Sequence, residues 1–138
     1  MSEKDTLTVQ AELDQLPAVL SFIDEHLEAA GCSMKAQIQV DLAVEELYVN
    51  IAHYAYRGEK GEAQISVRFD PKERIFEIEF RDSGVPFDPL AKPDPDITLS
   101  AEERRIGGLG IFMAKKNLDE LSYARENGQN ILTARKKL

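Results

Sequence analysis

The spacing of apolar residues changes once along the chain, and this change restricts the possible folds more than any other feature. Apolar residues first recur at helical spacing, at Leu16, Val19, Leu20, Ile23 and Leu27 and again at Val40, Val44, Leu47, Ile51 and Ala55. After residue 60 they alternate with polar residues, at Ala63, Ile65, Val67 and Phe69 and then at Phe76, Ile78 and Phe80. Periods of about 3.6 and 2 are typical of amphipathic helices and half-buried strands. The sequence therefore predicts two helices followed by two strands.

Capping and turn residues predict where the elements begin and end. A short strand precedes the helices at residues 6–11, where apolar and polar residues alternate. Gly31 is a typical C-terminal stop for the first helix, and Ser33 is a typical N-cap for the second. A third helix is predicted through residues 111–118, followed by strands at 120–125 and 130–136 around a turn at 126–128. A chain of 138 residues is long enough for one core, so we predict a single domain, residues 1–138.

Charge and cysteine content exclude several classes of function. The formal net charge is −8, which argues against direct nucleic-acid binding and favours a basic or neutral protein partner. Cys32 is the single cysteine, so no intrachain disulfide can form and a reducing compartment is expected. No apolar run approaches the ~20 residues that span a bilayer, and no signal segment is evident at the N-terminus. We expect a cytoplasmic protein without membrane contact.

Asp82 gives the sharpest prediction from pattern alone. One more step of the alternation through Ile78 and Phe80 places its carboxylate on the inward face of the sheet, where an unpaired charge is unfavourable. A carboxylate only accepts hydrogen bonds, and it therefore suits the exocyclic amino group of adenine. The alternative is a strand-end aspartate that caps the following turn with Gly84.

A glycine-rich run stands before the third predicted helix. Its members are Gly107, Gly108, Leu109 and Gly110. Such a backbone can approach a ligand closely, and a helix N-terminus offers free N–H groups to phosphate. The run is not a P-loop, because no Lys-Ser or Lys-Thr pair follows it, and an irregular segment with four prolines precedes it where a dinucleotide site would have a strand. The alternative is that the glycines only form a hinge for that segment.

Three charged or polar residues complete the set of candidates. Glu46 and Asn50 lie one turn apart on the second helix; such a pair is commonly a solvated helix flank. Beside a nucleotide, the Asn50 amide oxygen would suit Mg²⁺ and Glu46 would suit a general base, whereas Glu45 points elsewhere. Arg105, with Arg104 before it, would stabilise charge on a transferring phosphoryl group or merely solubilise the loop.

Taken in order, these segments resemble the Bergerat-type (GHKL) ATP-binding superfamily. The sequence Glu-Leu-Tyr-Val-Asn at 46–50 resembles its N box, residues 82–89 its first glycine box and residues 107–110 its second. Within the superfamily, the chain resembles the anti-sigma factor serine/threonine-protein kinases in three respects. These are the Pro-Phe-Asp-Pro run at 86–89, the short segment between the two glycine boxes that would form the lid, and the single-domain length. The similarity in order and spacing covers nearly the whole chain.

This resemblance implies a fold and a set of residue roles. The fold would be α+β, a two-layer α/β sandwich with helices on one face of a mixed, mostly antiparallel sheet, and the predicted order of elements agrees with it. Glu46 would be the catalytic base, Asn50 the Mg²⁺ ligand and Asp82 the residue that recognises adenine. Gly84 would allow close contact with ATP. The glycines of the run at 107–110 would wrap the phosphates.

One position departs from the family pattern. Many relatives carry a histidine four residues after the N-box asparagine, whereas this chain has Tyr54 there and its histidine, His53, one residue earlier. An aromatic ring at that position can still pack near a nucleotide, so both residues are candidates for nucleotide binding. The alternative for His53 is an ordinary surface histidine.

The resemblance also implies partners and leaves three hypotheses of function. The first is a serine kinase that phosphorylates an anti-anti-sigma (STAS-domain) protein, sequesters an RNA polymerase sigma factor and forms a homodimer. The second is an ATP-dependent binding switch with little or no phosphoryl transfer. The third is an ATPase or histidine-kinase-like module; no substrate histidine helix precedes the N box here, which counts against autonomous histidine-kinase action.

Overall fold

The structure, a computed structural model, describes residues 4–90 and 108–138. Its strands are β1 (Asp5–Gln10), β2 (Glu62–Asp70), β3 (Ile75–Asp82), β4 (Glu120–Glu126) and β5 (Gln129–Lys137). Its α-helices are α1 (Leu16–Ala29), α2 (Met34–Tyr54) and α3 (Gly108–Asn117), and a 3₁₀ turn, Leu13–Gln15, leads into α1. The strands form one sheet in the order β1-β2-β3-β5-β4, and each of these pairings is antiparallel. The α+β fold class is confirmed; the sheet formed by the described strands is antiparallel without a parallel pair.

The helices cover one face of the sheet because the strand register collects apolar side chains there. One row across the strands holds Leu7, Ile65, Phe80, Leu132 and Tyr123. Apolar residues of all three helices join this face in one core, among them Val19 and Ile23 of α1, Val40 and Leu47 of α2 and Ala114 of α3. The next row on the opposite face is polar, with Thr6, Ser66, Glu79, Thr133 and Ser122. The molecule is therefore the two-layer sandwich that the resemblance implied.

Local signals at the helix ends act as predicted. Gly31 has φ +70°, a left-handed conformation that suits glycine and ends α1. The Ser33 hydroxyl accepts a hydrogen bond from the Ala36 N–H at 3.1 Å and caps α2. Tyr48 lies outside the predicted apolar stripe but is fully buried, and its one hydroxyl hydrogen is shared between the Glu12 carbonyl at 2.6 Å and the Gln10 carbonyl at 3.1 Å. These bonds tie α2 to the end of β1 and fix how the helix that carries Glu46 and Asn50 lies on the sheet.

Two carboxylates meet between α1 and α2. Oδ1 of Asp24 and Oδ1 of Asp41 are both buried, and neither has a hydrogen-bond partner in the described parts of the chain. Two carboxylates can bond to each other only when one of them carries a proton. Burial, followed by hydrogen bonding to Asp24 and the charge of Asp24, raises the pKa of Asp41 to about 7.

We predict that the folded state loses stability as pH rises through 7. Between its ordinary pKa and about 7, Asp41 is protonated in the folded protein and ionised in the unfolded chain, so the stabilisation from proton uptake is present at low pH and lost above pH 7. Asp41→Asn should flatten the dependence of the urea midpoint on pH and exceed the parent in stability at pH 8. Glu73→Gln, which alters an exposed carboxylate, should leave the profile unchanged. Parallel profiles for Asp41→Asn and the parent would contradict the raised pKa of Asp41.

Candidate functional site

A small cavity lies between α2, the ends of β3 and β5, and the segment of residues 83–90. Three buried polar side chains line it, those of Asn50, Asp82 and Asn130, each 5–6% exposed. Its other walls are apolar and include Leu47, Ile51, Phe80, Phe87, Pro89, Ile111, Tyr123 and Leu132. The volume is about 30 Å³, enough for about two water molecules. A planar ligand as large as a base needs more room than this, so it could bind only if part of the cavity wall moved outward.

Asp82 lies on the inner face of the sheet, as the alternation predicted. In the register its neighbours are Ala63 on β2 and Asn130 on β5. The Gly84 N–H and the Asn130 Nδ2 each donate to Asp82 Oδ1 at 2.9 Å. The bond from Gly84 is the turn cap considered above, and it involves Oδ1 alone. Oδ2 receives no hydrogen bond from the described residues.

Asn50 presents its amide oxygen to the same cavity. Its Nδ2 donates to the carbonyl oxygen of Glu46, one turn earlier, at 2.9 Å. A carbonyl oxygen only accepts, so the nitrogen must be the atom that faces it. Oδ1 is then left without a hydrogen bond from the described residues. Since Asn50 is only 6% exposed, it is not part of a solvated helix flank.

Glu46 lies beside this cavity, against the first turn of α3. It is half-buried, and burial first, then the charge of Glu45, raises the pKa of its carboxyl. A Cβ atom added at Gly110 would lie 2.2 Å from Glu46 Oε2, so the carboxylate rests directly on the glycine backbone. The first backbone N–H groups of a helix have no partner inside the helix. The carboxylate is thus placed beside a helix terminus that can bind anions.

The two aromatic candidates lie farther out. Tyr54 stacks on Phe87 with ring centroids 5.3 Å apart and an interplanar angle of 25°. His53 is exposed, with its ring centroid 6.0 Å from that of Tyr54. Neither side chain is among those that line the cavity. Tyr54 instead supports Phe87, which forms part of the outer wall.

Gly84 is required by the backbone of α2. A Cβ atom at this position would lie 2.1 Å from the carbonyl oxygen of Ala55, which also accepts a hydrogen bond from the Val85 N–H at 2.8 Å. The chain can therefore cross the end of α2 only with glycine there. Sequence reasoning assigned Gly84 to nucleotide contact and did not anticipate this packing. The proposed contact with nucleotide remains a prediction.

The remaining candidates are only partly described. Gly107 and Arg105 lie outside the described residues. Gly108 and Leu109 belong to the first turn of α3, as the glycine run predicted for a helix start. Sequence reasoning missed Asn130, although the alternation through Leu132 and Ala134 places it inward by the same argument as Asp82.

The oxygen atoms and apolar walls of the cavity fit an adenine nucleotide with a divalent cation. Asp82 Oδ2 matches an amino donor, and the apolar walls match the faces of a base. Within residues 4–90 and 108–138, no group of three or more His, Cys, Asp or Glu side chains is arranged to hold a metal ion. A cation at Asn50 Oδ1 would accordingly complete its shell with phosphate and water oxygens, as Mg²⁺ commonly does. None of the described helices is both long and apolar enough to cross a membrane.

Comparison with known proteins points to one family. A family model described as histidine kinase-like ATPase domain matches residues 9–136. The chain is similar to the serine-protein kinase RsbW of Listeria monocytogenes serovar 1/2a, with 26% identity over 136 residues that cover 96% of this chain and 86% of that protein. It is also similar to the serine/threonine-protein kinase BtrW of Bordetella bronchiseptica, with 24% identity over 96% of this chain and 92% of that protein.

Solved structures show the same fold. The RsbU and RsbW domains of a Mycobacterium tuberculosis protein match with a TM-score of 0.69 and 15% identity, covering 99% of this chain and 33% of that one. The histidine kinase domain of a blue-light activated kinase from Erythrobacter litoralis matches with a TM-score of 0.56 and 16% identity, covering 91% and 60%.

We predict that alanine substitution changes the free energy of unfolding much more at one glycine of the site than at another. Gly84→Ala forces Cβ onto the backbone carbonyl of Ala55 and should destabilise the protein by about 2 kcal/mol in urea unfolding. Gly110→Ala meets only the flexible end of the Glu46 side chain and gains helix propensity, so the free energy of unfolding should change by less than ~1 kcal/mol. Equal losses at the two positions would contradict the assigned packing of Gly84.

Proposed function

Because this chain belongs to the histidine kinase-like ATPase domain family, we propose that it binds Mg-ATP and phosphorylates a serine of an anti-anti-sigma (STAS-domain) protein. The resemblance recognised in the three boxes is confirmed by this family match and by relatives named as serine-protein kinases. One observation carries the proposal: the buried side chains of Asp82 and Asn50 line one cavity, each has an oxygen that accepts no hydrogen bond from the described residues, and the Glu46 carboxylate lies beside them.

Binding of the base follows from the cavity. Asp82 Oδ2 accepts from the adenine amino group, and the apolar side chains of the cavity cover the ring. The wall of residues 83–90 makes room by moving Phe87, whose N–H bonds to Asn130 Oδ1 at a long 3.3 Å and whose ring is stacked on Tyr54. His53 at the surface and Tyr54 behind Phe87 then border the bound nucleotide.

Binding of the phosphates uses the other end of the site. Asn50 Oδ1 is the protein ligand of the cation, and Mg²⁺ when bound neutralises charge on the phosphoryl oxygens. The first turn of α3, beginning at Gly108 and continuing through Leu109, offers backbone N–H groups to the phosphates. Gly107 lies outside the described residues and is proposed for the same role from its place in the glycine run. Arg105 is the candidate for stabilising charge on the transferring group.

Glu46 is the candidate for the chemical step. It takes the proton from the attacking serine hydroxyl as the oxygen bonds to the γ-phosphorus and the bond to the leaving ADP oxygen breaks. Burial raises the pKa of Glu46, which makes it a stronger base than an exposed glutamate. The neighbouring Glu45 is exposed, and it provides a matched control.

The partners of the protein are part of the proposal. A sigma factor held by the same chain and a homodimer follow from the likeness to anti-sigma kinases, and the net charge of −8 favours neutral or basic protein surfaces. A cytoplasmic location is part of the same proposal. The alternative function is a switch in which nucleotide controls partner binding with little phosphoryl transfer.

We predict that Asp82→Asn weakens binding of Mg-ADP at least about tenfold in calorimetry. The donors from Gly84 and Asn130 hold the amide oxygen at the Oδ1 position, so the new NH₂ group faces the adenine amino group, donor against donor. Asp70→Asn is the control, because Asp70 Oδ1 also accepts backbone N–H groups, but Asp70 ends β2 and pairs with Ile75, at the opposite end of β3 from Asp82. An unchanged affinity in Asp82→Asn would show that the adenine assignment is wrong.

We predict that Glu46→Gln separates chemistry from binding. Transfer of label from radiolabelled ATP to serine in STAS-domain proteins of the same genome should fall by about 10²-fold or more, while affinity for Mg-ADP stays within about twofold. Glu45→Gln should retain transfer. If the unmodified protein transfers no label but Mg-ATP changes its affinity for a protein partner, the binding switch is the function.

A further inference from the structure

Asn130 is the most highly bonded side chain at the cavity. Its Nδ2 donates to Asp82 Oδ1 at 2.9 Å and to the carbonyl oxygen of Val85 at 2.8 Å. Both hydrogens of the amide are therefore used, one on the carboxylate and one on the segment that forms the outer wall. At 6% exposure the side chain is almost completely removed from solvent.

The carbonyl side of the same amide is equally engaged. Asn130 Oδ1 accepts from the Phe87 N–H at 3.3 Å, from Arg125 Nη1 at 3.1 Å and, at short distance, from the Tyr123 hydroxyl. Arg125 Nη1 also donates to the Gly84 carbonyl at 2.8 Å. One side chain therefore joins three parts of the cavity: the carboxylate at its base, the segment 83–90 and strand β4.

Only an amide can make this set of contacts. A carboxylate of the same shape has no hydrogen to donate to Asp82, and a hydroxyl has one hydrogen for two acceptors. A hydroxyl would leave either the Asp82 carboxylate or the Val85 carbonyl short of a donor in a buried place, which is unfavourable. The requirement for asparagine thus arises from the contacts of this cavity and not from strand propensity, which is low for asparagine.

We propose that Asn130 is a positioning residue that makes the site selective for adenine over guanine by fixing the direction of the Asp82 carboxylate, so that an acceptor cannot turn away from the base. This inference rests on the proposed nucleotide binding. With Gly84 N–H and Asn130 Nδ2 both on Oδ1, rotation of the carboxylate about χ2 would break two bonds, so its orientation is held. Adenine presents an amino donor where guanine presents a carbonyl acceptor. A fixed acceptor therefore favours adenine, and a loosened one discriminates less.

The ratio of the dissociation constants for Mg-GDP and Mg-ADP tests this role by calorimetry. In Asn130→Ser the ratio should fall about tenfold, because this factor corresponds to the free energy of one hydrogen bond to a charged group. Asn117→Ser is the matched control: Asn117 donates to the Met113 carbonyl at 2.9 Å on the exposed end of α3, and its loss should leave the ratio unchanged. If Asn130→Ser does not fold, Asn130→Thr, better suited to a strand, gives the same readout.

A double variant distinguishes positioning from general support of the fold. If Asn130 acts through Asp82, then Asn130→Ser should not change the ratio further once Asp82→Asn is present. Equal weakening of both nucleotides with an unchanged ratio, or full additivity in the double variant, would overturn the proposal while leaving nucleotide binding intact. Failure of the unmodified protein to bind Mg-ADP would overturn the proposed function and this inference together.

Discussion

A carboxylate held in the apolar face of the sheet is the constraint on which the rest of the site depends. Asp82 continues a strand whose preceding inward residues are Phe76, Ile78 and Phe80, each about 1% exposed. Its charge is tolerated because Gly84 and Asn130 donate to one oxygen, and those two bonds in turn fix the turn after β3 and the neighbouring strand β5. Within the described residues, the fold therefore satisfies this carboxylate through one of its two oxygens.

Helix α2 joins the core to the site. Leu47 and Tyr48 on its buried side are fully enclosed, and the Tyr48 hydroxyl anchors the helix to the end of β1. Asn50 and Glu46 lie on the flank of the same helix and are therefore held in place by its packing. A site that positions reacting groups requires such support. Burial separates their roles: Asn50 is enclosed and suited to ligation, whereas Glu46 is half-buried and remains accessible to a substrate hydroxyl.

The sequence predicted what depends on local periodicity and failed where contacts join distant segments. The helices, strands and caps followed from apolar spacing, and so did the inward position of Asp82. The clash that makes Gly84 necessary involves Ala55, almost thirty residues away, and the stacking of Tyr54 on Phe87 likewise needs the fold. Asn130 was within reach of the alternation argument, but its bonds to Asp82 depend on the strand register, which pairs residues far apart in the chain.

The most direct test of the central claim is a two-dimensional NMR titration of the labelled protein with Mg-ADP. The account predicts saturable shifts of the Asn50 and Asn130 side-chain amides and of the backbone amides of Gly84 and Val85, since these groups surround the proposed base and cation sites. Saturable shifts confined to the polar face of the sheet, for example at Gln64 and Gln129, would contradict it. An absence of any saturable shift would contradict it equally.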